Sequence, residues 1–423
     1  MARKSKPASD AHKPARHAKA GVTNSDTSRI ILGTRKGTII LERGKTGWRA
    51  SHLAHAGVGV AYAAQDPRTG TFWAALEHGH WGPKLSRSKD GVNWADAPQI
   101  KYPEGTRYIN GFETESGTSS NEAAAAGEMV KKPKLSKAAL LKIWCLGFGA
   151  KEQPGRVFAG TMPGGLFISD DDGENFSLNM ALWNHESRGG DVSTTPGMGK
   201  SFWFGGGATV NGENTPGIHS VVVDPRNPKR LLVALSCAGV LESTDDGKSW
   251  AGRNKGLLAT FLPKPDVEWG HDPHYMMLSE NNPEHIWQQN HCGIFNSTDG
   301  AKTWQMVSKE GQTAHFGFPI AVDAMNGKTA WVVPGIADDK RMAVGGAMCV
   351  CRTQDGGKHW EELRKGLPQE NSYDVVYRHA LDIRGNSLAF GSTTGNLYLS
   401  DNRGDDWKPL GQNFPPIYSV RFA

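Results

Sequence analysis

The chain has 423 residues, with 48 Lys and Arg against 43 Asp and Glu and a formal net charge of +5. That length exceeds one small domain and suits a single large repeat ring, while the near balance of charge argues against a nucleic-acid-binding face. Its 52 glycines and 14 tryptophans fit a turn-rich fold wedged by aromatics.

Met1–Thr27 reads as a disordered basic leader. Arg3, Lys4, Lys6, Lys13, Arg16 and Lys19 oppose Asp10 and Asp26 there, so the tail carries most of the basic excess. It has no apolar stretch, which predicts neither a signal peptide nor a membrane anchor. Residues 28–423 read as one domain of short apolar runs broken by turn residues, the all-β pattern.

The first repeat, RIILGTRKGTIILERGKTGW, ends in a degraded form of a phrase that then recurs. The phrase reads SKDGVNW at Ser88–Trp94, FISDDDGENF at Phe167–Phe176, STDDGKSW at Ser243–Trp250 and STDGAKTW at Ser297–Trp304. It returns as TQDGGKHW at Thr353–Trp360 and SDNRGDDW at Ser400–Trp407, which makes seven copies. The common form is Ser/Thr-x-Asp-x-Gly-x-x-aromatic. Asp and Ser bond local backbone in tight turns, Gly supplies a positive φ, and the aromatic is free to wedge between repeats. Asp90, Asp171, Asp245, Asp299 and Asp355 are therefore turn-builders rather than catalysts. Upstream of each phrase lie two further strands. HSVVVDPRNPKR at His219–Arg230 aligns without gaps with HYMMLSENNPEH at His274–His285. Each repeat then supplies an inner, a central, a third and an outer strand. The first repeat lacks an inner strand, and the terminal IYSVRFA matches IHSVVVD, so Ile417–Phe422 is predicted to return and complete it.

This pattern resembles the Asp-box, or BNR repeat, of sialidase-like β-propellers. That superfamily includes sialidases, xyloglucan hydrolases, sortilin-type receptors and a photosystem II assembly factor. The resemblance implies a seven-bladed propeller of four-stranded blades, with the box between third and fourth strands. The chain also resembles bacterial proteins described as sialidase-like or glycosyl hydrolase-like, from about Arg29 onward. GTRKG, GPKLSRSKDG, VEWGH, FGFPIAVD, GLPQENSY and FGSTTG carry that likeness. A true sialidase is not expected, because the family's Arg-Ile-Pro motif is missing and its rings have six blades. Its three substrate-binding arginines have few counterparts: Arg35 and Arg378, with Arg107 and Arg188 as further candidates.

From one terminal aromatic to the next the spacings run 46, 82, 74, 54, 56 and 47 residues. The second and third intervals thus carry insertions, at about 103–138 and 177–217, read as partly disordered and as a lid. Both are expected on the face opposite the boxes, where histidines also gather. His219 and His274 share one repeat position at the start of inner strands. His271 and Glu268 lie in VEWGHDPH, His291 lies in the QNHCG turn, and Glu77, His78 and His80 lie in LEHGHWG. Arg35 and Lys36 hold the equivalent turn of the first repeat, and Lys142, Tyr377 and Tyr418 begin other inner strands.

Two chemistries follow. His219, His274 and His291 could hold a divalent transition metal, as in a seven-bladed oligogalacturonide lyase of broadly similar arrangement. Alternatively, they bond backbone and line a polar channel. A glycan hydrolase would need two opposed carboxylates, for which Glu77 and Glu268 are the nominated pair. The expected function is binding of a small polar ligand, a saccharide among the candidates, at this mouth. The competing reading is a protein-interaction or assembly platform on the same loops. Five cysteines without framework spacing point to reduced thiols and a cytoplasmic location. Cys349 and Cys351 are expected on opposite faces of a strand.

Overall fold

The second strand of each repeat is an apolar run that only a sheet covered on both faces can bury. Leu231, Leu232, Val233, Ala234 and Leu235 are all fully buried. The computed structural model describes residues 28–113, 132–192, 203, 209–210, 213–214, 216–411 and 413–423. The basic leader and parts of both insertions lie outside them. Seven four-stranded antiparallel sheets make a seven-bladed β-propeller.

Blade one is Arg29–Thr34, Gly37–Gly44 and Gly47–Ala54 with Ile417–Phe422 as its inner strand. Blade two is Gly59–Gln65, Phe72–His78, Gly82–Ser88 and Trp94–Asp96, and blade three begins at Lys142–Phe148 and ends at Ser177–Leu178. The inner strands of blades four to seven are Ile218–Asp224, Pro273–Ser279, Gly317–Val322 and Leu381–Arg384. The returning strand pairs antiparallel with the first, Ile30 opposite Phe422 and Leu32 opposite Val420. The ring is thereby closed by its own C-terminus.

The recurrent turns share one set of hydrogen bonds. In blade three Ser169 Oγ donates to Asp171 Oδ1 at 2.7 Å and accepts from the Gly173 N–H, while Asp171 Oδ1 accepts from the Asn175 N–H. Blades four, five and six repeat this through Ser243–Asp245, Ser297–Asp299 and Thr353–Asp355. Blade seven does the same with Asn402 in place of Asp. The aromatic then ties its blade to the one before: Trp304 Nε1 donates to Arg253 O, and Trp360 Nε1 to Val307 O.

Hydrogen bonds to these exposed carboxylates hold Asp171, Asp245 and Asp355 down at about 2. A depressed carboxyl stabilises the fold above its unfolded value of about 4 and loses that contribution as pH falls toward 2. We therefore expect the urea midpoint to drop between pH 4 and pH 2. An Asp171→Asn, Asp245→Asn, Asp355→Asn variant keeps the acceptor oxygen, as Asn402 does, and should show a shallower drop. Equal pH dependence of both proteins would contradict this role.

Both insertions contribute secondary structure. The first contributes a hairpin of Arg107–Glu113 and Lys132–Lys137, with 114–131 outside the described residues. The second opens with a short helix, Met180–Trp183, capped by Asn179 Oδ1, and a turn at Glu186–Arg188. They pack together, with the buried Arg188 guanidinium 3.6 Å from the Trp183 ring centre and 5.4 Å from that of Tyr108.

One expectation is overturned. Cys349 and Cys351 share a face, Sγ to Sγ 3.9 Å, because strand side chains alternate with period two and residues i and i+2 point the same way. All five cysteines are free and buried. Among the described residues no helix is long and apolar enough to cross a membrane.

Candidate functional site

The inner strands begin on one face of the ring, and partway along them a knot of polar side chains spans the axis. Arg421 of the returning strand donates to Tyr62 Oη of blade two, Tyr275 Oη of blade five and the His379 carbonyl of blade seven. Blades two and five are not neighbours, so these bonds span the channel. The His379 ring stands edge-on between Tyr62 and Tyr275, 5.1 and 5.0 Å away, and its Nε2 meets the His219 carbonyl at 2.8 Å. Between this knot and the face where the inner strands begin lies the mouth, called the bowl below.

One wall of the bowl comes from blades one, two, three and seven. Lys142 Nζ pairs with Glu77 at 2.6 Å and lies 5.2 Å from the Trp144 ring centre. Tyr418 and Tyr377 stand 6.1 Å apart. Burial raises the Tyr418 phenol, Glu77 adds to that, and Arg35 opposes it, which places all three in one electrostatic neighbourhood. Lys36 is exposed beside Arg35.

The opposite wall comes from blades four to six. His274 Nδ1 bonds the Gly317 carbonyl at 2.7 Å, and His219 Nδ1 bonds the Pro273 carbonyl at 3.0 Å. Each bond crosses to the next blade, as expected of residues at one repeat position. Asp272 Oδ2 stands 3.6 Å from both His274 Nε2 and His291 Nδ1, while its Oδ1 accepts the Cys237 N–H at 3.3 Å. Burial would raise the Asp272 carboxyl, but His274, with the charges of His219 and His291, holds it below the ordinary range. Burial, reinforced by Arg378, drives His219 well below the usual imidazole value, and burial lowers His291.

Arg378 joins the two walls. Its guanidinium lies 5.1 Å from the ring centre of Trp144 in blade three and 5.4 Å from that of Phe318 in blade six. Burial lowers it to about 10, and Asp272 only partly offsets this. Among the described residues no carboxylate lies within ion-pair distance of it, and its shielded Nε has no hydrogen-bond partner. Arg341, the other cation of this wall, is paired with Asp338.

The sequence-predicted residues thus divide. Arg35, Glu77, Lys142, Tyr377 and Tyr418 meet on one wall, and His219, His274 and His291 on the other. His271 is buried in an isolated bridge to Ala238, its Nε2 on the Val267 carbonyl at 2.7 Å, outside the cluster. His78 Nδ1 accepts the His80 and Trp81 N–H groups and builds its own turn. Glu268 is exposed near Gly252 on the outer strand of blade four, beside His185. Glu77 is tied to Lys142 instead, so the two glutamates do not oppose each other across the bowl. Asp272 was not singled out, although its position two residues before His274 puts both on one side of an extended chain. A separate cavity of about 540 Å³ lies lower in the channel, between Tyr62, Cys145, His219 and Tyr275.

No family model matches the chain. Over 177 residues it is 27% identical to an oligoxyloglucan-reducing end-specific xyloglucanase of Emericella nidulans, a match covering 39% of this chain and 20% of the relative. Among solved structures, an ancestral GH74 enzyme superposes with a TM-score of 0.52 at 15% identity, covering 84% of this chain and 39% of the other. YCF48 bound to a D1 peptide gives 0.45 at 13% identity, covering 88% and 93%. At 15% identity the likeness to the GH74 enzyme is one of fold alone.

Proposed function

We propose that this propeller binds a small polar ligand bearing an acidic group, with an acidic saccharide the best fit, in the bowl above the axial knot. Arg378 carries the reading. A shielded guanidinium without a carboxylate partner, between two aromatic faces, is a ready site for the carboxylate of a ligand. Trp144, Phe318, Tyr377 and Tyr418 add faces on which sugar rings can stack, and Glu77, Lys142 and Asp272 add hydrogen-bonding groups. The match to a xyloglucanase supports a saccharide. The repeated turn bonds support counting the chain among the sialidase-like Asp-box propellers, although a sialidase it is not proposed to be.

Oligosaccharides with uronic acid units are expected to raise the thermal midpoint, while their neutral counterparts do so weakly. Arg378→Met should weaken acidic-ligand binding roughly 10- to 100-fold, the worth of a charge-assisted hydrogen bond of about 1.5–3 kcal/mol. Equal binding of neutral and acidic ligands, unchanged in the variant, would sink the reading. The alternative, an interaction platform, draws on the exposed Trp81, Phe261 and Tyr373, since aromatics anchor protein interfaces. It expects Trp81→Ser and Phe261→Ser to abolish partner capture and Arg378→Met to leave it intact.

A further inference from the structure

We propose that Asp272, His274 and His291 hold a divalent transition-metal ion on the wall of the bowl, with open coordination positions facing the ligand. The three donor atoms lie within 4.8 Å of one another. Donors bound to one ion at about 2.0–2.2 Å stand roughly 2.8–3.8 Å apart for bond angles of about 90–120°. The Oδ2-to-imidazole separations, 3.6 Å in both cases, fall in that range and are too long for good hydrogen bonds.

The supporting groups are also those of a metal site. His274 Nδ1 is fixed on the Gly317 carbonyl, which sets the tautomer and turns Nε2 toward Asp272. The Cys237 N–H occupies Asp272 Oδ1 and leaves Oδ2 for the ion. A second observation is independent of these three residues. His219 is 1% exposed, its Nδ1 is spent on the Pro273 carbonyl, and its Nε2 is buried without a partner beside Asp272 and His274. An imidazole lone pair left bare inside a protein is costly, and a metal-bound water would satisfy it.

Two imidazole nitrogens and one carboxylate oxygen select a zinc-like ion over calcium or magnesium, which prefer all-oxygen sets. Charge then links the ion to the ligand. Asp338 is neutralised by Arg341, and Asp272 offsets Arg378, so a dication leaves the wall with excess positive charge. An acidic ligand group placed between the ion and Arg378 answers it. In this respect the inference rests on the ligand reading above, but the ion's binding does not require it.

The test uses full-length protein made without a polyhistidine tag, stripped by chelator, loaded with Co²⁺ or Zn²⁺ alone and desalted. About one ion per chain is expected, and the cobalt form should show visible d–d absorption. Asp272→Asn, His274→Gln and His291→Gln should each weaken affinity at least about tenfold, whereas His80→Gln should not. His291 sits in a partly exposed turn, so its variant keeps the test valid if the buried positions fail to fold. Loading below a tenth of an ion per chain, or unchanged loading in His291→Gln, overturns the proposal. Arg378→Met should retain the ion, so the metal and ligand readings fail separately.

Discussion

Deleting Ile417–Ala423 should abolish the soluble folded protein, a loss out of proportion to seven terminal residues. Chain ends usually tolerate truncation, because few buried contacts cross them. Here Ile417 and Val420 are fully buried and Phe422 nearly so, and each such side chain contributes about 1.5–3 kcal/mol of burial. Ser419 Oγ also accepts the Ala63 N–H, joining blade one to blade two, and lies where any side chain on Gly33 would fall. Removing the strand exposes the edge of Arg29–Thr34 and opens the ring between blades one and seven. Summed over three side chains and a lost ladder, the cost matches the roughly 5–15 kcal/mol that holds a typical domain together. Expression, sedimentation and a urea titration of the truncated chain would check this. A soluble product with an unchanged midpoint would show that the ring does not depend on its clasp. Supplying Ile417–Ala423 as a peptide should restore part of the loss.

The ring was legible because its signals are local. A turn built by Ser, Asp and Gly, with strands of fixed length before it, needs no knowledge of distant contacts. Even the closure could be read, since the first repeat has no inner strand and the last seven residues match one. The bowl was legible only where it inherits the repeat. His219 and His274 were found by their shared position, and each makes the same bond to the following blade. Asp272 breaks the repeat and is less conspicuous than His271, which packing consumes in a buried bridge to Ala238. Glu77 and Glu268 fail as a pair for a similar reason. Which end of a blade a loop returns to is a tertiary property, and Glu268 returns to the outer edge. The meeting of Arg378 with Trp144 could not be read at all. Only the curvature of seven blades brings residues 234 positions apart across one axis.

The same curvature should make Arg421 costly to lose. Arg421→Met keeps much of the volume but strips the donors from Tyr62 Oη, Tyr275 Oη and the His379 carbonyl at the centre of the ring. It also removes the charge facing Asp382. Burial already raises the Asp382 carboxyl, and Arg421 is the largest influence lowering it again. Without that cation, Asp382 keeps the Phe422 N–H and the weaker influence of Arg384, and each acceptor stranded by the lost guanidinium should cost about 1–3 kcal/mol. The sign of the pH dependence follows from the raised value. An acid whose folded value lies above its unfolded one favours the fold when protonated and penalises it as pH climbs past about 4. The variant raises Asp382 further, so its deficit should be larger at pH 7 than at pH 4.5. Urea titrations of both proteins at the two pH values would measure this. A deficit that is equal at both would assign the loss to hydrogen bonds and packing alone. A deficit restored by adding Asp382→Asn to Arg421→Met would identify the charge as its source.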